Sequence, residues 1–202
     1  LNEYINIGDS LGIAKIYNNL GVLNRTLGNY ITSLDYYQKS LELRRIMGDK
    51  VGMGITYNNI GNIHFNLGNF DLSLEYYLKS LEVRKEFDDK LGIAGCYANI
   101  GGVYKEKEDY ISAIDNFQKA LLIYTGFSDK LGIANNYKNI GSSYINLNEY
   151  SLALDYYNKS LVIDKQLGDQ LGISITLTQI AKIYNALSNF EIAEHNAKKS
   201  LE

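Results

Sequence analysis

Gly48-Asp49-Lys50-Val51-Gly52-Met53-Gly54-Ile55-Thr56-Tyr57-Asn58-Asn59-Ile60-Gly61 is the stretch that decides the fold, because the chain repeats it every 40 residues. The same pattern opens at Gly8 and returns at Asp88, Ser128 and Gly168. Self-similarity at a period of about 20 to 50 residues is typical of stacked repeat proteins. The sequence therefore predicts a single array over residues 1–202, made of the tail of a preceding repeat (1–7), four full repeats (8–47, 48–87, 88–127 and 128–167) and a truncated repeat (168–202). Since both ends fall inside repeats, we expect a piece of a longer protein.

The composition supports a buried core and excludes several classes of protein. Hydrophobic residues make up 46% of the chain, and proline is absent. The net charge of -3 comes from 20 basic and 23 acidic residues, so the chain lacks the positive field that steers proteins onto nucleic acid. No apolar run approaches the roughly 18 residues of a membrane span, and no membrane insertion is expected.

Residues that could carry chemistry are few. Cys96 is the only cysteine, which excludes an intrachain disulfide and fits a reducing, cytoplasmic compartment. No histidine lies near it in the sequence, so Cys96 is predicted to be an inert small hydrophobe. His64 takes a packing position that tyrosine fills in later repeats, and His195 is predicted to be exposed. With no phosphate-binding glycine loop either, we predict no enzymatic activity, no metal and no cofactor.

Each repeat has the pattern of two helices separated by a short turn. In the first repeat, Asp9 is a candidate N-cap, since its carboxylate accepts from backbone N–H groups that lack an intrahelical partner. Apolar and small residues then recur at three- and four-residue steps. Gly28-Asn29 is predicted to end this helix, with Gly28 left-handed and Asn29 as the next cap, and the second helix runs from Tyr30 to Met47. Such short connections force antiparallel neighbours.

A small residue on the core face of each first helix is predicted to face a ring on the second helix. The small residues are Gly21, Gly61, Gly101, Gly141 and, in the last repeat, Ala181. The rings are Tyr37, Tyr77, Phe117 and Tyr157, and Ala197 is the exception. A glycine in mid-helix costs about 1 kcal/mol relative to alanine. Four of them indicate that the second helix approaches too closely for a larger side chain.

At these positions the chain resembles the tetratricopeptide repeat family, whose hallmark is a large residue, a Leu-Gly pair and a tyrosine on the first helix, then a small residue, an aromatic and a small residue on the second. Two of the matching sets are Tyr57, Ile60-Gly61, His64, Ser73, Tyr77, Ser80 and Tyr137, Ile140-Gly141, Tyr144, Ala153, Tyr157, Ser160. The family's usual period is about 34 residues; the longer variety seen here is similar to the repeats of Pins/LGN polarity adaptors, kinesin light chains, and bacterial Rap-type regulators and sensor kinases. The resemblance implies an all-α, right-handed superhelical solenoid of antiparallel helix pairs, with a concave groove lined by first helices that binds peptides.

The stripe opposite the core on each first helix would face this groove. It carries one side-chain amide per repeat: Asn19, Asn59, Asn99, Asn139 and Gln179. The other candidate peptide-binding residues are Asn62, Asn135, Lys138 and Ser142. An amide both donates and accepts, so a ladder of amides satisfies the backbone of an extended peptide without reading its sequence. The resemblance supports this use of groove asparagines; the alternative is a ladder inherited by duplication that only solvates the concave face.

Charged residues give two further predictions. Lys138, with Arg25 and Lys105 nearer the edge of the stripe, favours an acidic or C-terminal carboxylate ligand. The second helices carry acid-to-base pairs at four-residue spacing, which we interpret as support for the helices on their outer face. These pairs are Asp35/Lys39, Glu75/Lys79, Asp115/Lys119 and Asp155/Lys159.

These observations favour a non-enzymatic scaffold that binds a protein or peptide segment in the groove. The main alternative is a sensory or regulatory segment of a larger bacterial signalling protein, such as a histidine kinase, a cyclase or a transcription regulator. A third hypothesis is a structural spacer that self-associates through apolar faces at the ends of the array.

Overall fold

The computed structural model describes residues 7–188 and 190–200, and all regular secondary structure in these ranges is α-helical. Within the described residues, ten helices follow one another: α1 Ile7–Thr26, α2 Tyr30–Ile46, α3 Lys50–Asn66, α4 Phe70–Glu86, α5 Lys90–Glu106, α6 Tyr110–Gly126, α7 Lys130–Asn146, α8 Tyr150–Leu167, α9 Gln170–Ala186 and α10 Phe190–Lys199. The predicted all-α arrangement of helix pairs is confirmed. Residues 1–6, assigned from sequence to a preceding repeat, lie outside the described residues, and so do residues 189, 201 and 202.

Residues in the left-handed conformation end most of the helices. Gly28, predicted to be left-handed, has φ +77°, and Gly48 has φ +68°. Residues that carry a Cβ take this conformation at Asp88, Glu108, Ser128, Asn148 and Ser188. The left-handed conformation costs such a residue roughly 1–2 kcal/mol. The repeat therefore imposes the turn even where the sequence lacks the glycine that favours it.

Caps at the helix N-termini follow the prediction only in part. Asp49 is the N-cap of α3, and its Oδ1 accepts a hydrogen bond from the backbone N–H of Gly52 at 2.9 Å. Asn29 is the N-cap residue before α2 but makes no such side-chain bond. The prediction that Asp9 is an N-cap is wrong. Gly8 is already helical, so Asp9 lies inside α1.

The close approach predicted at the core-facing glycines is confirmed. A Cβ added at Gly21 would lie 2.4 Å from Cε1 of Tyr37, and one added at Gly61 would lie 2.7 Å from Cδ1 of Tyr77. Both rings are almost completely buried. Ser33 Oγ also donates to the carbonyl oxygen of Gly21 at 2.6 Å. Each of these rings therefore packs directly on the backbone of the first helix.

Contacts group the chain into two compact units, the first ending at Val103 and the second beginning at Tyr104. In each unit a ring from a second helix packs against isoleucines of the following first helix. These clusters include Tyr37 with Ile60 and Ile63 in the first unit, and Tyr157 with Ile180 and Ile183 in the second. Because a ring is shared between successive hairpins, neither hairpin buries its apolar face alone.

The acid-to-base pairs predicted on the second helices form as expected. Lys39 Nζ lies 2.7 Å from Asp35 Oδ2, and the other three pairs are separated by 2.6 Å. About half of each side chain is exposed, and exposed pairs of this kind are worth about 0.3–0.5 kcal/mol. They therefore support the individual second helices.

Candidate functional site

Amides on the first helices of the first unit bond to one another across repeats. Asn59 Nδ2 donates to Asn18 Oδ1 at 3.1 Å, and Asn99 Nδ2 donates to Asn58 Oδ1 at 2.9 Å. All four side chains are half-buried. A carboxamide has two N–H donors and an oxygen with two lone pairs, so each of these bonds uses only part of its capacity. The amides are thus held in fixed orientations while keeping atoms able to bond to another molecule.

Two other predicted residues of this unit differ in their surroundings. Asn19 is exposed on α1. Asn62 is half-buried, and its Oδ1 accepts a hydrogen bond from the hydroxyl of Tyr77 at 2.7 Å. Burial raises the pKa of Tyr77 to about 12, so this hydroxyl stays protonated and donates. Asn62 therefore belongs partly to the packing of its own hairpin.

A cleft of about 420 Å³ opens between α1 and α3 in the first unit. It brings together a cation (Lys15), an amide of the stripe (Asn19) and an apolar side chain (Ile55). Its remaining walls are formed by Leu11, Asn18, Arg44, Asp49, Val51 and Gly52. Pockets that bind small molecules or side chains combine apolar walls with a few placed polar groups, as this cleft does.

A buried ion pair that sequence analysis missed forms one wall of the cleft. Arg44 Nη1 lies 2.6 Å from Asp49 Oδ2, and Arg44 Nε donates to Ser40 Oγ at 3.2 Å. Arg44 is only 5% exposed, and a Cβ added at Gly52 would lie 1.4 Å from its Nη1. The guanidinium therefore needs a glycine at position 52. Recurrence of Arg, Asp and Gly at residues 84, 89 and 92 was the sequence signal that could have revealed this pair.

In the second unit, Lys138 is engaged within the protein. Its Nζ lies 3.2 Å from Oδ1 of Asp164, a fully buried carboxylate that also accepts hydrogen bonds from Ser160 and Thr176. A buried carboxylate needs such compensation, because its desolvation is costly. Lys138 thus neutralises Asp164, another residue that sequence analysis missed.

The remaining predicted residues of the second unit lie on first helices with unequal exposure. Asn135 is exposed on α7, whereas Asn139 and Ser142 on the same helix are half-buried. Gln179 is half-buried on α9. Burial raises the pKa of Tyr157, in the same hairpin, to about 12. Asn135, Asn139 and Gln179 are the amides that this unit contributes to the stripe.

Residues considered for catalysis have the surroundings that the sequence suggested. Cys96 is buried as a free thiol, and burial raises its pKa. The imidazole of His64 stacks on Tyr76 with ring centroids 5.5 Å apart, and its pKa is lowered by burial. His195 is exposed on α10.

Across residues 7–188 and 190–200, no three His, Cys, Asp or Glu side chains are grouped so as to hold a metal ion. In the same ranges, no helix has both the length and the apolar character needed to cross a bilayer.

Comparison with known proteins identifies a repeat family in nearly the whole chain. One family model described as tetratricopeptide repeat matches residues 52–126, 94–166 and 132–202, and a second model with that description matches residues 13–49. A search of curated proteins finds no matching sequence.

Solved structures share this fold at low sequence identity. BtubC (BKLC) from P. vanneervenii has a TM-score of 0.86 at 18% identity, covering 98% of this chain and 82% of its own. A signal transduction ATPase with numerous domains and a tetratricopeptide repeat sensor, from Pyrococcus horikoshii, has a TM-score of 0.84 at 21% identity, covering 98% of this chain and 30% of its own. The Rap conjugation gene regulator of plasmid pLS20, in complex with the Phr* peptide, has a TM-score of 0.78 at 17% identity, covering all of this chain and 57% of its own.

Proposed function

The chain belongs to the tetratricopeptide repeat family, and from this premise we propose that it is a non-enzymatic module that binds a protein or peptide segment along its first helices. The observation that carries the proposal is the cleft between α1 and α3, where Lys15 and Ile55 line one cavity with Asn19 of the stripe. The pLS20 regulator, which has the same fold, forms a complex with a peptide, and this supports a peptide as the kind of ligand.

The paired amides supply the main-chain contacts in this proposal. Asn59 and Asn99 are already oriented by their bonds to Asn18 and Asn58, so less side-chain freedom is lost when a ligand binds. Their remaining N–H and C=O groups bond to the backbone of an extended segment, which gives affinity with little dependence on the ligand's sequence. Asn135, Asn139 and Gln179 provide the same chemistry in the second unit.

We assign a preference for an acidic ligand to Lys15. The guanidinium of Arg44 is occupied by Asp49, and Lys138 is occupied by Asp164. Lys15 is exposed at the cleft, where it can pair with a side-chain or C-terminal carboxylate of the segment. The buried free thiol of Cys96 is consistent with action in the cytoplasm.

Selection of peptides from a random library on the wild-type chain provides the test. Selected peptides should bind at least tenfold more weakly to a variant with both Asn59→Ala and Asn99→Ala, while circular dichroism shows unchanged helix content. The matched control replaces Glu75 and Glu82, two exposed residues of α4, by alanine and should bind as the wild type does. Equal binding to the amide variant and the wild type would rule out this surface.

A second candidate is a sensory segment of a larger signalling protein. The similarity to the Pyrococcus horikoshii protein supports it, because the repeats of that protein are described as a sensor and this chain spans 30% of its length. Sequencing the complete reading frame distinguishes the candidates, since a sensor requires an effector domain in the same chain.

A further inference from the structure

Arg25 is the one arginine that lacks a carboxylate partner among residues 7–188 and 190–200. Each of the other three lies within 3.2 Å of an aspartate or glutamate oxygen: Arg44, Arg45 and Arg84. Arg25 is half-buried, and its Nε is buried without a hydrogen-bond partner in these ranges. The last turn of α1 favours a cation, but an exposed side chain gains the same benefit, so this does not explain the burial. A desolvated charge is normally paired, and Arg25 is therefore available to an anion supplied by another molecule.

Tyr37 places a second unpartnered polar group beside Arg25. Its side chain is 0% exposed, and its hydroxyl is buried without a hydrogen-bond partner among the described residues. In the next hairpin, the Tyr77 hydroxyl donates to Asn62, but the position of Asn62 is held by Val22 in the first hairpin, which has no acceptor. Burial raises the pKa of Tyr37 and the charge of Arg25 opposes this rise, because the guanidinium lies close to the hydroxyl.

Asn62 of α3 lies on the other side of Arg25. Phe65 has in α3 the repeat position of Arg25, and its Cε2 would lie 3.9 Å from a Cβ added at Gly102, which has the repeat position of Asn62. The repeat thus places the Arg25 side chain next to Asn62. The charge of Arg25 also acts on the Tyr77 hydroxyl, the partner of Asn62, against the larger effect of burial. Since Asn62 Oδ1 accepts from Tyr77, the N–H groups of the amide are the ones that can bond to a ligand.

These side chains offer hydrogen-bond donors and a single positive charge. A carboxylate matches them, because it carries one negative charge and its two oxygens fit the paired N–H groups of a guanidinium. A phosphate group carries about two negative charges at pH 7 and calls for more than one cation. Lys15 is ten residues away from Arg25 on α1, about 15 Å along the helix, and Arg25 does not line the cleft that contains Lys15. The cluster around Arg25 is therefore separate from that cleft.

We propose that Arg25 and Asn62 bind an aspartate or glutamate side chain of the segment held along the first helices. Because Nε is buried beside Tyr37, the Nη groups of Arg25 are the ones that donate to the two carboxylate oxygens. The amide of Asn62 adds a further donor. This inference rests on the function proposed above, and it gives the ligand a second acidic contact in addition to the one at Lys15.

Acetyl-glutamate-amide is the probe, because it carries one carboxylate and no other charge. Titrated into the 202-residue chain at constant ionic strength, it should shift the NMR signals of the Arg25 Nε–H group and the Asn62 side-chain amide in a saturable manner. Acetyl-glutamine-amide, which has the same shape without the charge, should not. The absence of saturable shifts with the glutamate probe, or equal shifts with both probes, would overturn the proposal. Tighter binding of inorganic phosphate than of the glutamate probe would contradict the choice of a carboxylate.

Two substitutions of Arg25 and a matched control test the contact, with binding read at the Asn62 amide. Arg25→Gln should weaken binding of acetyl-glutamate-amide about tenfold or more, and Arg25→Lys, which keeps the charge but not the paired N–H groups, about two- to tenfold. Arg45→Gln removes the same charge from an exposed side chain of α2 and should bind the probe as the wild type does. Equal losses in Arg25→Gln and Arg45→Gln would contradict the assignment. Circular dichroism establishes that each variant is folded, and Arg25→Lys with the two probes remains decisive if Arg25→Gln loses its helices.

The probe is not a peptide, so this test is separate from the test of the proposed function. Loss of selected peptides from the variant with Asn59→Ala and Asn99→Ala, without any effect of Arg25→Gln on the glutamate probe, would refute only the carboxylate site. Binding of the probe at Arg25, with selected peptides unaffected by loss of the two amides, would refute only the amide surface.

Discussion

The packing of Tyr77 on Gly61 predicts that substitutions at these two positions are coupled. Alone, Gly61→Ala places a Cβ 2.7 Å from Cδ1 and Cε1 of the ring, and the three nearest atoms all belong to Tyr77. Overpacking of this kind costs about 1–3 kcal/mol, against a gain of about 1 kcal/mol from the better helix propensity of alanine. The net effect should therefore be a loss of up to about 2 kcal/mol.

In a background with Tyr77→Ala, the same substitution should act in the opposite direction. Removing the buried ring costs about 3–5 kcal/mol by itself, by analogy with a buried phenylalanine. Once the ring is absent, alanine at position 61 meets no clash and gains about 1 kcal/mol from its helix propensity. The two substitutions should thus show a coupling energy of about 1–3 kcal/mol. The last hairpin carries this alanine pair naturally, at Ala181 and Ala197.

Native-state hydrogen exchange is the suitable assay, because repeat arrays depart from two-state unfolding. The opening free energies of α3 and α4 amides in the four proteins of the cycle give the coupling directly. Additive effects, with Gly61→Ala equally costly in the presence and absence of the ring, would refute the packing argument.

Three further predictions concern stability. Glu108→Gly should raise the free energy of unfolding by about 1 kcal/mol in urea denaturation, because Glu108 has φ +62° and glycine adopts this conformation without steric cost. The pKa of His64 is lowered in the folded protein, so the free energy of unfolding should fall as the pH drops from about 6.5 through that lowered pKa. His64→Tyr should abolish this pH dependence in melting curves taken from about pH 7 to about pH 5. Asp164→Ala should lower the free energy of unfolding by about 3–5 kcal/mol, because it leaves Lys138 unpaired. Asp155→Ala, which breaks an exposed pair, should lower it by about 0.5 kcal/mol or less.

Each of these predictions has a contradicting outcome. Destabilisation by Glu108→Gly would mean that the turn depends on contacts of the glutamate. A pH dependence that survives in His64→Tyr would assign the titration to another group. Similar losses for Asp164→Ala and Asp155→Ala would show that the buried pair adds nothing beyond an exposed one.

The fold could be predicted from the sequence because the 40-residue period repeats each packing requirement several times. Gly61 and Tyr77 are informative as a pair, since a glycine in mid-helix is unfavourable unless another group needs its space. The turns were predictable for the same reason, and the repeat imposes them even at Glu108, where no glycine marks the left-handed residue.

The surroundings of the polar residues could not be derived in this way. Asn62 and Lys138 have the spacing of groove residues, yet one bonds to Tyr77 and the other to Asp164. Period and helix geometry give the face on which a side chain lies, but its hydrogen-bond partner depends on rotamers and on residues far apart in sequence. The bond between Asn59 and Asn18 links residues 41 positions apart, and only the stacking of two hairpins brings them together.

NMR mapping of a library-selected peptide on the isotope-labelled chain tests the proposed binding surface most directly. The largest amide shifts should fall on first helices, around Asn19 and Lys15 of α1 and Ile55 and Asn59 of α3. Shifts confined to the second helices α2 and α4 would contradict it.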